Sequence, residues 1–221
     1  MFASEAVWPK QINEATAAYR YLTQEMDILP TVIIVGGDSS GEHLVLSLLH
    51  NIQTMELSKP AAALLLCPWV KLLQSGASVS TNKFKDIMKT GSLDEAANMV
   101  LGARGRTVFN HLLNFAVPQP RSMTWKDVLP EFTWINVGSH DLFLDDIGNF
   151  AANSENDGAD VELEVSEGGS HGWQSFVDHA TSKKYCSLMP EVDATGLMPG
   201  AENIAEGILG IYRKIQNSPG R

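Results

Sequence analysis

Three short segments carry a hydroxyl, a carboxylate and an imidazole in settings where such groups do chemistry. They are Gly37-Asp38-Ser39-Ser40-Gly41, Gly138-Ser139-His140-Asp141-Leu142 and Gly168-Gly169-Ser170-His171-Gly172. A serine hydroxyl is a weak nucleophile at neutral pH unless a neighbouring base takes its proton. His171 can be that base, and Asp141 can orient its ring and stabilise the imidazolium that forms. The chemistry open to the three together is attack of Ser39 on an acyl carbon, with His171 later returning the proton to the leaving group.

The first segment is a G-x-S-x-G pentapeptide lying between an apolar run and a helical pattern, which is the context a nucleophile elbow requires. Gly37 and Gly41 allow a turn too tight for side chains, and Ser39 is placed at a helix N-terminus, where amides and dipole favour negative charge. The Ser40 amide is then one oxyanion donor. Taken alone, such a turn serves equally to bind a phosphate or to cap a helix. The other two segments discriminate, because each follows a strand and the chain order is Ser, Asp, His, which is the order of α/β-hydrolases.

Other candidates have simpler roles. His140 reads as a loop histidine, and His43, four residues past Ser39, as a packed or backbone-bonded one. Asp145 and Asp146 suit the start of a helix. Trp69 and Trp173 flank the presumed site and read as core aromatics before pocket walls. His171 and His179 have no spacing or third ligand that would suggest a metal.

The elements that must position these groups alternate. Ile12, Ala15, Ala18, Tyr19 and Leu22 recur at helical spacing within residues 8–25, and Pro30 ends that pattern. The β-branched run 31–35, closed by Gly36-Gly37, reads as a strand buried on both faces. A helix over 40–54 follows, then strands at 61–66 and 132–137. A half-exposed strand at 161–165 fits a sheet edge. Helices are expected at 144–153, after Trp173 and at 201–215. Helix and strand in alternation imply a mostly parallel sheet flanked by helices. Segment 74–127 breaks the rhythm and is longer than an ordinary connection, so it reads as an insertion covering the sheet end where ligands bind.

Bulk properties bound the partners. A chain of 221 residues with 19% charged residues is sized for one domain with a real core. Its apolar runs are too short to span a membrane, and its start has no secretory pattern, so a soluble, cytoplasmic protein is expected. Cys67 and Cys186 form neither a disulfide framework nor a zinc pattern. A net charge of −10 with no basic cluster argues against nucleic acid as a partner. No cofactor is called for.

With these residues in place, the sequence resembles the hormone-sensitive-lipase-like branch of the α/β-hydrolase superfamily. Within it, it is similar to fungal esterase-type hydrolases met in secondary-metabolite pathways. The resemblance runs through residues 8–12, 36–41, 67–70, 138–146 and 167–172. It implies the C-terminal part of an α/β-hydrolase fold, with 74–127 as part of a cap. The function it implies is cofactor-free hydrolysis of a carboxylic ester, thioester or lactone of a small, rather apolar metabolite. A hydrolase-like binding protein and an acyltransferase with the same triad are the alternatives.

Two departures from the family pattern follow. The family's HGGG-type oxyanion motif and its first strands have no counterpart in these 221 residues, which leaves the 31–35 strand as an exposed edge. An incomplete gene model, a covering partner or self-association through that edge, and a degraded enzyme each account for this. Glu42 stands where the family usually has a small residue, so helix packing beside the nucleophile should differ.

Overall fold

The structure, a computed structural model, describes residues 7–73, 75–108, 114–118 and 122–217. The chain divides into two compact units, Met1–His171 and Gly172–Arg221. The first is built on four parallel strands, β1 (Ile34–Asp38), β2 (Ala62–Leu66), β3 (Phe132–Gly138) and β4 (Val161–Ser166), in spatial order β1-β2-β3-β4. Each successive pair is joined through helix, as parallel neighbours require.

Helix α1 (Lys10–Arg20) continues as a π turn over Tyr21–Glu25. Its buried stripe is Ile12, Thr16 and Tyr19, while Ala18 faces out. The expected apolar face was therefore misaligned at one position: Thr16 enters the core because its hydroxyl finds partners there, the Ile12 carbonyl and the Asn51 amide. Helix α2 (Ser40–Thr54) packs on α1 and β1, and α6 (Leu144–Asn156) packs on β3 and β4. Between α2 and α6 sits the short α5 (Trp125–Val128), which touches both.

The strand expected at 31–35 lies three residues later and is not buried on both faces. Pro30–Val32 form a 3-10 turn, and the strand runs from Ile34 through the two glycines to Asp38. Pro30 presets the turn's φ and has no N–H for a ladder. Among the described residues β1 pairs with β2 alone, so its residues alternate between exposed and half-exposed, with Ile34 40% exposed. β3, by contrast, is buried at all seven positions. β4 forms the other edge, as its alternation indicated.

Segment 74–127 contains α3 (Ser78–Thr81), α4 (Thr90–Val108) and the start of α5. The helical patch expected at 93–101 is the first part of α4, with Leu93, Ala97 and Leu101 buried at spacings of four. Gly102, at φ 61° and ψ −174°, breaks the helix there.

The second unit pairs α7 (Trp173–Cys186) with α8 (Pro199–Asn217). The Asp178 carboxylate accepts the Gly200 and Ala201 amides at 2.8 and 2.7 Å and so caps α8 from outside the helix. No helix among the described residues is long and apolar enough to cross a membrane.

Candidate active site

The turn that carries Ser39 is set by close backbone approach. A Cβ on Gly37 would lie 3.1 Å from the Gly41 carbonyl carbon, so the end of β1 presses close against the first turn of α2 and a side chain there would force the two apart by a few tenths of an ångström. Ser39 sits between them at φ 59° and ψ −113°, a strained conformation for a residue with a Cβ. Neighbouring chain holds it there. The Ser39 amide donates to the Leu66 carbonyl at 3.0 Å, and the Ser39 carbonyl accepts from the Trp69 amide at 3.1 Å. The Ser40 N–H belongs to the first turn of α2, whose amides have no intrahelical acceptor.

Ser39 Oγ lies 2.7 Å from His171 Nε2, and His171 Nδ1 lies 3.0 Å from Asp141 Oδ2. The three residues singled out from sequence, 132 positions apart at the extremes, are thus hydrogen-bonded in series. Asp141 is fully buried, and its Oδ1 accepts the Phe143 amide at 2.8 Å. That bond leaves Oδ2 aimed at the imidazole. Burial pulls the His171 pKa down, but the Asp141 hydrogen bond and charge, with the charges of Asp86 and Asp38, outweigh it and hold the ring above its ordinary value.

Gly138 lets the two loops meet. A Cβ there would fall 2.1 Å from the Gly169 carbonyl oxygen, inside the turn that carries His171. The loops are then laced by Ser139 N to the Ser166 carbonyl at 2.9 Å, His140 N to the Gly169 carbonyl at 2.8 Å and Gly168 N to Ser139 Oγ at 2.8 Å. His140 contributes its backbone to the site, in keeping with a loop role.

Residues that sequence reasoning passed over come from segment 74–127. Ser78, Asn82 and Asp86, each four positions apart, all bond the acid loop. Ser78 Oγ donates to the Leu142 carbonyl at 2.8 Å, and Asn82 Nδ2 donates to the Ser139 and Asp141 carbonyls at 3.1 and 2.9 Å. Asp86 Oδ2 accepts the Leu142 amide at 2.6 Å, while its Oδ1 accepts the His171 amide at 3.1 Å. The segment therefore braces the site as well as adding chain beside it. The only sequence trace was that polar i, i+4, i+8 spacing.

The other candidates resolve as follows. His43 is buried, with Nδ1 2.6 Å from the Trp69 carbonyl oxygen and its ring stacked on Trp8. Trp69 is a core residue stacked on Phe143, whose ring meets His171 edge-on at 5.1 Å. Trp173 and His179 lie on α7 in the second unit. Asp145 and Asp146 occupy the first turn of α6, but they serve distant partners: Asp145 Oδ2 accepts the Ser78 amide, and Asp146 faces Lys71 at 3.7 Å. Glu42 is wholly buried under the elbow, with Oε1 accepting the Leu66 amide at 3.3 Å. Among the described residues, Cys67, Asp141 and His171 bring a thiol, a carboxylate oxygen and a ring nitrogen within 4.8 Å of one another. His171 Nδ1 is already engaged by Asp141, so this cluster belongs to the hydrogen-bonded series, with a thiol beside it.

Comparisons agree with the geometry. A family model described as alpha/beta hydrolase fold matches residues 2–175. An acetyl-hydrolase of Streptomyces hygroscopicus is 34% identical over 84 residues, 38% of this chain and 28% of that protein. The crystal structure of an esterase from the bacterial hormone-sensitive lipase family aligns with TM-score 0.70 at 26% identity, covering 92% of this chain and 62% of the other. EstE5, in a crystal soaked with p-nitrophenyl butyrate, gives TM-score 0.69 at 25% identity with the same two coverages, 92% and 62%. EstE7, a hormone-sensitive-lipase homologue from a metagenome library, gives 0.75 at 24% identity over 97% of this chain and 65% of the other, a likeness of fold. The chain thus spans 62% of the length of the first two of these structures.

Proposed function

We propose, since the chain belongs to the alpha/beta hydrolase fold family and matches esterases of the hormone-sensitive lipase branch, that it is a serine hydrolase acting on a carboxylic ester. The observation that carries this reading is the unbroken series Ser39 Oγ, His171 Nε2, His171 Nδ1, Asp141 Oδ2, at 2.7 and 3.0 Å. His171 takes the Ser39 proton as Oγ forms a bond to the acyl carbon, and the carbonyl electron pair moves onto oxygen. The Ser40 amide, in the first turn of α2, is the donor assigned to that oxyanion in this reading. Collapse of the intermediate breaks the bond to the leaving alcohol, which receives the proton from His171. Water, deprotonated by the same ring, then releases the acid and restores Ser39.

Charge and family together support one substrate class. A chain of net charge −10 in which Asp38 and Asp86 add negative charge near the triad suits a neutral, rather apolar acyl group. Esters, thioesters and lactones of small metabolites fit this description, with a place in fungal secondary metabolism as the finer reading. An acyltransferase uses the same acyl-enzyme and differs only in the acceptor. Product analysis with and without an added alcohol separates the two.

A fluorophosphonate probe tests the central claim. It should label Ser39, and Ser39→Ala or His171→Ala should abolish labelling by the folded protein. A folded wild-type chain that resists the probe and does not turn over p-nitrophenyl butyrate would sink the hydrolase reading and leave a ligand-binding role.

A further inference from the structure

Segment 74–127 contributes a carboxylate besides Asp141, and it bonds both loops that support the triad. Asp86 stands one helical turn beyond Asn82, whose carbonyl accepts the Asp86 amide at 3.0 Å. One of its carboxylate oxygens accepts the Leu142 amide at 2.6 Å, the residue directly after Asp141. The other accepts the backbone amide of His171 itself at 3.1 Å, together with the Met88 amide at 3.3 Å. The loops after β3 and β4 each bear one member of the acid-base pair, and Asp86 binds both at once.

Such a bridge does two separable things. It fixes the spacing of the loops on which the Asp141 to His171 contact of 3.0 Å depends. It also sets a negative charge near the imidazole that Ser39 must protonate during attack. A neutral acceptor could do the first of these but not the second.

Building on the hydrolase reading above, we propose that Asp86 is a positioning residue for the triad, one that clamps the acid and histidine loops together and stabilises the His171 imidazolium through its charge. The groups facing the His171 ring are Asp141 at hydrogen-bonding distance, the Ser39 hydroxyl on the opposite nitrogen and the Cys67 thiol nearby. Asp38 and Asp86 act on it as more distant charges. Asp141 dominates, and Asp86 is the next charge, ahead of Asp38. Removing the Asp86 charge therefore makes the ring easier to deprotonate.

Two measurements on the full chain test this, one of them independent of turnover. In wild type and in Asp86→Asn, Asp86→Glu and Asp86→Ala, the His171 titration midpoint is followed by NMR of the ring nitrogens, assigned with His171→Gln. The rate of Ser39 labelling by a fluorophosphonate is followed across pH. Asp86→Asn, which keeps the size and one acceptor oxygen, should shift both the His171 midpoint and the acid limb of the labelling profile to lower pH. Asp86→Glu, which keeps the charge, should restore the midpoint toward wild type. The plateau labelling rate should fall about tenfold in Asp86→Asn and further in Asp86→Ala, as expected when reacting groups are displaced by a fraction of an ångström. Should Asp86→Ala not fold, Asp86→Asn and Asp86→Glu carry the comparison. An unchanged His171 midpoint in a folded Asp86→Asn, with labelling within about twofold of wild type, overturns the proposal. A wild type that is not labelled at all defeats the hydrolase reading instead, while the titration still decides whether Asp86 acts on the ring.

Discussion

Glu42 shows what one residue can store. It replaces the small residue that the family resemblance led one to expect, and it is fully buried beneath the nucleophile turn. Its Oε1 accepts the Leu66 amide, whereas its Oε2 has no hydrogen-bond partner among the described residues. Burial lifts its pKa well above the usual carboxylate value of 4.5, with the Leu66 and Gly37 amides opposing and the Asp38 charge adding to the rise. The folded chain therefore keeps a proton that the unfolded chain releases above pH 4.5. Stability is at its full value below that pH and is lost as pH rises toward the folded pKa. Glu42→Gln removes the ionisation while keeping the shape and the acceptor oxygen. Urea unfolding should find the variant at least as stable as wild type at pH 8, with the difference vanishing near pH 4. A wild type that is the more stable of the two at pH 8 would show that the carboxylate is paired and charged in the fold.

At the scale of elements, the site is a meeting of strand ends, and the sequence disclosed that meeting unevenly. The three G-containing segments were legible because each joins a chemistry-bearing residue to glycines at the C-terminal end of a strand, a combination that packing alone does not demand. β3 was legible through its apolar run, and β4 through its alternation. β1 was misplaced by three residues because β-branched residues outweigh glycines in strand propensity, yet Gly36 and Gly37 pair with Leu64 and Leu65 in the ladder. The brace formed by Ser78, Asn82 and Asp86 stayed hidden for a different reason. Its partners are backbone groups 56 to 85 positions away, and no local pattern records them. Gly138 links what was legible to what was not: the sequence showed a glycine ending a strand, and the structure shows the Gly169 carbonyl occupying the space its side chain would need. Gly138→Ala must push the histidine loop aside, because the obstruction at 2.1 Å is backbone. A displacement near 1 Å costs about 10²-fold in catalysis. Gly138→Ala should lower kcat/KM for p-nitrophenyl butyrate by about that factor and also lower the thermal midpoint. Retention of wild-type kcat/KM would mean that the two loops move independently.

At the scale of the whole molecule, charge reaches further than any single contact. The chain carries 26 acidic against 16 basic side chains, and the His171 imidazole feels the charge of Asp141 at hydrogen-bonding distance and those of Asp86 and Asp38 from further off. Such a surplus repels anions before they reach the nucleophile, and the repulsion decays over a Debye length of about 10 Å at 0.1 M salt. A neutral ester does not feel this field, whereas an ester bearing a free carboxylate does. Raising ionic strength from about 10 mM to about 500 mM should therefore increase kcat/KM several-fold for a p-nitrophenyl hemisuccinate and change it less than about twofold for the butyrate. The expected change lies in KM and the association rate, since the acyl-enzyme chemistry is the same for both. A hemisuccinate rate that falls with added salt would point instead to a cationic group drawing the substrate in, and the preference for neutral acyl groups inferred from net charge would have to be reversed.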